Sequence, residues 1–376
     1  MFTEKDVLQY IALATLGATT VYLLLPFSDD AQGLGVGLEN WGNQCYVNSV
    51  LQALVGLPSL HKFAIETLPS GNEEKETGNG NGRPKIITEA MLAMIHELSQ
   101  KVKFRKVVSA SPFIRVLEVV YKKRLSYNQE DAHEFFQIVA ETMATEYEKT
   151  DLTIPFAGKT ESYLRCRTCN YSTKPVTTEG LMLTLAVPQK SKTSLLNLVT
   201  DYFRSETIEG YQCIKCSLLV ASKATNLSES SKEQVHHALL QEVIPDEVDG
   251  IKLPVTRGIG EKYTKMKLFP QILVLHLNRS IYDSRATKNH CAVELGEELS
   301  FSDGTFYILR AMITHKGSHN SGHYVCYRRQ QAVEQESGGV KEIFIKSNDR
   351  KISRSSLREV MEQQKDSYML FYEKAS

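Results

Sequence analysis

Apolar positions recur with the period of a helix along the first half of the chain and with that of a strand along the second. From Tyr46 they fall at 46, 47, 50, 51, 54 and 55, one helix face, with Gly56 and Pro58 punctuating its end and Asn43 placed to cap its start. Helical patterns resume over 87–102, 112–123 and 129–147. In the last of these Ala132, Phe135, Phe136, Val139 and Met143 share a face, and Asn128 with Asp131 resembles a capping box. Near residue 154 the texture changes. Short alternating or β-rich runs follow at 181–187, 271–277, 306–313, 323–327, 343–346 and 368–372. The polar, glycine-rich stretch 70–84 reads as a loop, the charged, serine-rich stretch 222–250 as an exposed insertion, and 329–341 as a loop between two strands. The pattern predicts an α+β fold, helices first and strands after, with a cleft between the two lobes.

One stretch stands outside this periodicity. Residues 7–25 carry no charged side chain and are closed by Pro26, Asp29 and Asp30. As a helix the run would be about 28 Å long, close to the roughly 30 Å hydrocarbon core of a bilayer. A cleaved signal peptide fits poorly, because Lys5 sits between Glu4 and Asp6 and no small-residue cleavage site follows. A buried core helix fits poorly too, because a loose polar linker comes next. The expectation is a transmembrane anchor over 1–28 and a linker over 29–36.

The 376 residues suffice for a large core or two packed subdomains, and 44 basic side chains balance 44 acidic ones, which gives no reason to propose nucleic acid as a partner. The seven cysteines, at 45, 166, 169, 213, 216, 291 and 326, are an odd number, which argues against a fully bridged secreted fold.

Cys45 lies after a glycine- and asparagine-rich turn, at the start of the first apolar helix. There the helix dipole favours a thiolate, and the upstream asparagine amides are available to an oxyanion. A buried structural cysteine fits the same position equally well. Two later segments bear on the choice. His323 follows a glycine and leads an alternating strand, and Asn348 and Asp349 follow a strand end. Cysteine, histidine and asparagine in that order are the parts of a papain-like triad. Metal binding by His315, His319 and His323 is the rival reading; it needs a helix, which the intervening glycines and serines disfavour. His133 reads as structural and Cys326 as strand packing.

The other chemical signal is a pair of knuckles, Cys166-Arg-Thr-Cys169 and Cys213-Ile-Lys-Cys216. Four thiolates complete a tetrahedral zinc site with no open position for water, so one zinc ion here would be structural, not catalytic; redox pairing is the alternative.

Together these segments resemble the ubiquitin-specific proteases, the large papain-like class of deubiquitinases. The resemblance covers residues 37 to 372. It rests on segment 37–49 around Cys45, on Asn128-Gln-Glu-Asp-Ala-His-Glu-Phe-Phe136, on the two knuckles, on 268–279 ending in Asn278-Arg279, on the segment around His323, and on 367–372. It implies a papain-like cysteine protease fold over 37–375, with a helical thumb (about 37–155), zinc-tipped β fingers (about 160–250) and a β palm (about 251–375). It implies Cys45 as nucleophile, His323 as general base, Asn40 as the side-chain donor of the oxyanion hole, and Asn348 at the third catalytic position, which many members fill with Asp. An amide orients the imidazole without a carboxylate's charge, so Asp349 becomes a candidate auxiliary. Gln44 stands where Thr or Ser is usual, and Asn278 where Lys is common. The implied partners are ubiquitin and ubiquitinated proteins, with the membrane reached through the N-terminal helix. Within the family, an anchor directly before the catalytic domain is similar to the member of the mitochondrial outer membrane. This implies a cytosol-facing domain at that membrane, with the endoplasmic reticulum as the alternative. A ubiquitin-binding receptor with weak or no catalysis on the same fold is the second functional reading.

Overall fold

The computed structural model describes residues 21–22, 34–68, 84–100, 106–125, 130–224, 227–241, 243–245, 247–248, 250–282, 286–318, 321–333 and 340–375. They form two compact units. One comprises the chain up to 157 together with 181–198 and 270–376, and the other comprises 158–180 and 199–269.

The transmembrane helix expected before the fold is overturned. Within the run 7–25 the described residues are Val21–Tyr22, and they form a strand antiparallel to Lys106–Val108, which pairs on its other side with Gly37–Leu38. A strand satisfies its backbone groups on a neighbouring strand and a membrane helix satisfies them within itself, so these residues are not part of a continuous spanning helix. The rest of the run lies outside the described residues. Among those described, no helix is long and apolar enough to cross a membrane.

In the first unit the Cys45–Val55 helix is the buried axis: every residue from Cys45 to Leu54 is buried. It packs against the Ile86–Leu98 and Ala132–Tyr147 helices on one side and the Phe306–Gly317 and Gly322–Val333 strands on the other. Each of its fully buried aliphatic side chains contributes about 1.5–3 kcal/mol. The polar residues inside it find backbone partners: Gln52 Nε2 donates to the Val36 carbonyl at 2.9 Å, and Asn48 Nδ2 to the Glu39 carbonyl at 2.9 Å. Gln44, not Asn43, occupies the cap position, without a side-chain cap bond, and Gly56 ends the helix.

The sheet runs in the order Lys351–Ser355, Val340–Asn348, Gly322–Val333, Phe306–Gly317, Ser367–Lys374, Ile272–Asn278, Leu183–Ala186. Glu298–Ser300 pairs beside Phe306–Gly317. Its pairings are antiparallel apart from Leu183–Ala186, which lies parallel to Ile272–Asn278. All six strand runs expected from the alternation fall in it. Buried Arg279 clamps the loops at its edge by donating to the carbonyls of Ser367, Asn289, Cys291 and Gln364.

The second unit is a four-stranded sheet, ordered Val176–Gly180, Gly158–Cys166, Arg257–Leu268, Glu206–Gln212. The stretch expected to be an exposed insertion contains the Glu229–Leu240 helix. Ser228 caps it, accepting from the Ser231 amide at 3.1 Å, and Val235 and Ala238 are buried with Leu218, Ala221 and Ile244.

Candidate active site

The loop that delivers Cys45 starts at Glu39, whose amide donates to the Val108 carbonyl at 2.8 Å. Asn40 then folds the loop on itself: its Oδ1 accepts from the Gly42 amide at 3.2 Å and the Gln44 amide at 3.1 Å. Gly42 adopts φ +140°, which a side chain would disfavour. Cys45 follows as the first helical residue, 4% exposed.

His323 sits at the second position of the Gly322–Val333 strand and hydrogen-bonds the Cys45 side chain. Its Nε2 is 2.6 Å from Asn348 Oδ1, the last residue of the adjacent Val340–Asn348 strand. An amide oxygen only accepts, so Nε2 carries the proton in this pair and Nδ1 is left to face the sulfur. The hydrogen bond to Cys45 raises the imidazole to about 9. Burial opposes the rise, and the Asn348 bond and the charges of Cys45 and Asp349 add to it. An imidazolium at neutral pH stabilises negative charge as it develops on Cys45 Sγ.

Asp349 takes a different position. With φ +48° it forms the tight turn closed by the Asn348–Lys351 pairing. Its Oδ2 accepts from Asn40 Nδ2 at 2.9 Å, its Oδ1 from Asn48 Nδ2 at 2.8 Å, and it stands 3.9 Å from His323 Nε2. Its carbonyl accepts from the Leu38 amide at 3.0 Å. The carboxylate thus joins the loop before Cys45 to the turn after Asn348. One Asn40 Nδ2 hydrogen is spent on it, and an amide nitrogen carries a second. The structure therefore brings Cys45, His323, Asn348, Asn40 and Asp349 together. Sequence reasoning missed Asn48. Its signal was a polar residue on the buried face of an apolar helix, a position that demands a partner.

His315, His133 and His276 make contacts other than those of this relay. His315 pairs across the sheet with Tyr324 and stacks on it at 4.4 Å. Cross-strand partners share a face and successive residues alternate, so His315 and His323 are on opposite faces, which removes the metal reading for them. His319 lies outside the described residues. His133 stacks on His276 at 4.0 Å and contacts Asp131 and the Tyr368 hydroxyl. Burial pushes His276 down to about 3. Asp131 caps the Ala132–Tyr147 helix by accepting from the His133 amide; Asn128, its expected capping partner, lies outside the described residues.

In the second unit Cys166 ends the Gly158–Cys166 strand, Cys169 follows in a turn, Cys213 caps the Ile214–Ala221 helix, and Cys216 lies in its first turn. The four sulfurs lie within 4.8 Å of one another, with Cys166 to Cys216 at 3.8 Å and Cys169 to Cys213 at 3.5 Å. A tetrahedron with Zn–S of about 2.3 Å has S···S edges of about 3.8 Å. These cysteines are positioned to bind a zinc ion, and no other such metal-ligating group occurs among the described residues. Burial raises the Cys166 thiol, but the amides of Cys169 and Thr168 outweigh it and bring it to about 7. Burial pushes Cys213 up to about 11.

The family described as "Ubiquitin carboxyl-terminal hydrolase" matches residues 36–372. Ubiquitin carboxyl-terminal hydrolase 16 of Emericella nidulans is 31% identical over 78% of this chain and 62% of its own length, so the chain spans less than two thirds of that relative. Ubiquitin carboxyl-terminal hydrolase 16 of Saccharomyces cerevisiae is 26% identical over 100% of this chain and 98% of its own length. Among solved structures, the SAGA DUB module bound to ubiquitin aldehyde shares the fold. Its TM-score is 0.64 at 21% identity, over 99% of this chain and 75% of that one.

Proposed function

The chain belongs to the ubiquitin carboxyl-terminal hydrolase family of cysteine-type deubiquitinases, and we propose that it hydrolyses the bond between the C-terminal glycine of ubiquitin and a lysine of a conjugated protein. The observation that carries this reading is the relay from Cys45 through His323 to Asn348, with Asp349 holding Asn40 beside the nucleophile. Cys45 Sγ attacks the glycine carbonyl. The oxyanion takes the free Asn40 Nδ2 hydrogen and the Cys45 main-chain N–H, which at the first helical position has no intrahelical partner. The imidazolium of His323 gives its proton to the lysine nitrogen as the C–N bond breaks, leaving a thioester. Water, losing a proton to His323, then cleaves the thioester and frees Cys45. Ubiquitin as substrate is supported by the names of the relatives and by the ubiquitin aldehyde in the similar module.

The zinc site takes no part in these steps. Bound at Cys166, Cys169, Cys213 and Cys216, the ion supplies a structural cross-link between two segments of the second unit. For the compartment we propose the cytosol, a reducing setting that suits four metal-poised thiols. Imaging the full-length chain against organelle markers tests this, and a secreted or lumenal signal would sink it.

Incubation with a ubiquitin probe bearing an electrophilic C-terminus tests the activity. The expected result is one covalent adduct that Cys45→Ala abolishes. Tight non-covalent binding with no adduct would instead establish the receptor reading.

A further inference from the structure

Trp41 is the chain's single tryptophan, and it is 72% exposed. Tryptophan gains stability chiefly by burial, so one left in solvent adds little to the core. It is nonetheless held in place. Its indole N–H donates to Glu39 Oε2 at 2.7 Å, and the Arg350 guanidinium lies over one ring face, 5.6 Å from the centroid. Trp41 follows Asn40 in the loop before the nucleophile, and Arg350 follows Asp349 in the turn after Asn348. The indole therefore bridges the two segments that the Asn40–Asp349 bond ties together.

That location bears on the leaving group. His323 delivers its proton to the departing lysine nitrogen, so this nitrogen lies beside the imidazole when the bond breaks. The far edge of the imidazole rests on Asn348, and the turn carrying Arg350 comes next. This turn and the loop 39–44 flank the relay, with Asp349 bonded to Asn40 and 3.9 Å from the imidazole, so they are the segments within reach of the polypeptide that bears the lysine. An aromatic platform held by two charged neighbours loses little freedom on binding, and its exposed surface suits the aliphatic stem and flanking backbone of such a segment.

Resting on the deubiquitinase reading, we propose that Trp41 is a specificity-determining residue for the leaving-group side, stacking on the lysine-bearing segment of the conjugate and not on the ubiquitin tail.

As the only tryptophan, Trp41 reports on itself. The full-length Cys45→Ala chain is saturated with either free ubiquitin or an isopeptide-linked ubiquitin–lysine peptide, both free of tryptophan, and acrylamide quenching is measured. The conjugate is expected to cut quenching at least twofold, and free ubiquitin to leave it as in the unliganded chain. Equal quenching with the two ligands overturns the proposal. A kinetic arm uses otherwise native protein. Trp41→Ala is expected to lower kcat/KM on the ubiquitin–lysine peptide about fivefold to tenfold more than on ubiquitin with a small aromatic amine leaving group, and Trp41→Phe to restore most of the difference. An equal loss on both substrates would mean that Trp41 only props the loop, and overturns the proposal. Failure of the unsubstituted protein to bind ubiquitin or cleave either substrate overturns the deubiquitinase reading itself, a result distinguishable from every other.

Discussion

Asp349 accepts a hydrogen bond from Asn40 at 2.9 Å across 309 residues of chain, and so ties the loop that precedes Cys45 to the turn that follows Asn348. The carboxylate beside the relay acts on the oxyanion donor more directly than on the imidazole, from which it stands 3.9 Å away. Asp349→Ala is expected to remove the acceptor that fixes one Nδ2 hydrogen each of Asn40 and Asn48 and to lower kcat on a small ubiquitin substrate about a hundredfold, the scale of losing one oxyanion donor. Asp349→Asn, which retains an acceptor, should lose less. If Asp349→Ala leaves kcat within twofold of the parent, this arrangement has no catalytic consequence.

The raised imidazole of His323 has a consequence in pH. With its cation favoured up to about 9, the leaving amine finds a proton donor across the neutral range, and kcat/KM should fall on an alkaline limb near pH 9. Asn348→Asp, placing a carboxylate where Oδ1 now stands 2.6 Å from Nε2, should move that limb to higher pH. The same shift bears on stability. A group whose folded value lies above its ordinary 6.5 contributes stability that is fully present below 6.5 and lost as pH rises through about 9. Melting followed from pH 6 to pH 10 should show part of its alkaline decline vanish in His323→Gln; identical declines would refute the assignment.

Much of this site was legible because its residues lie in ordered local segments. A cysteine after a glycine- and asparagine-rich turn, a histidine leading a strand and an asparagine ending one each carry a local signature. The bonds that join them do not, since Asn40, Asn48 and Asp349 meet only through the fold. Legibility of the elements followed burial. The six strand runs stand out because one face or both are covered: Leu183–Ala186 alternates buried and exposed, and Ile272–Asn278 and Ser367–Lys374 are buried nearly throughout. Val176–Gly180, by contrast, is exposed at every residue and Glu206–Gln212 at most, so neither shows a period of two. The run 7–25 shows the converse failure. Apolarity and length suggested a spanning helix, but neither reveals that Val21–Tyr22 pairs with residues 106 and 107. In the Glu229–Leu240 helix few apolar side chains face inward, and Val235 and Ala238 are too sparse to stand out among the charges.

Removing the metal should affect the second unit. Its sheet is largely exposed, and the Ile214–Ala221 and Glu229–Leu240 helices bury only a small cluster, so the four-thiolate cross-link is a large share of what holds it. Structural zinc contributes on the order of 10–16 kcal/mol in small domains. The native protein is expected to carry about one equivalent of zinc, and Cys213→Ser to lose it and to gain proteolytic sensitivity confined to residues 158–180 and 199–269. A metal-free protein with unchanged protease resistance would count against a structural role.

The catalytic turn is held from outside the relay, at Gly37. At Gly37 a Cβ would lie 2.6 Å from the Arg350 carbonyl oxygen, a backbone atom that cannot rotate away. This close approach lets the Leu38 amide reach the Asp349 carbonyl and so docks the catalytic turn on the Gly37–Leu38 strand. Gly37→Ala must push the turn outward, displacing Asn348 from His323 and Asp349 from Asn40 together, with no change to any side chain of the relay. Overpacking of this kind costs about 1–3 kcal/mol of stability. A misplacement of 1 Å costs about a hundredfold in rate. The expected result is therefore a folded protein, slightly lower in melting temperature, whose kcat falls about tenfold to a hundredfold while ubiquitin affinity measured in the Cys45→Ala background stays within threefold. If Gly37→Ala retains full kcat, the turn is not held by this contact. If kcat falls only in proportion to unfolded protein, the loss belongs to stability and not to positioning.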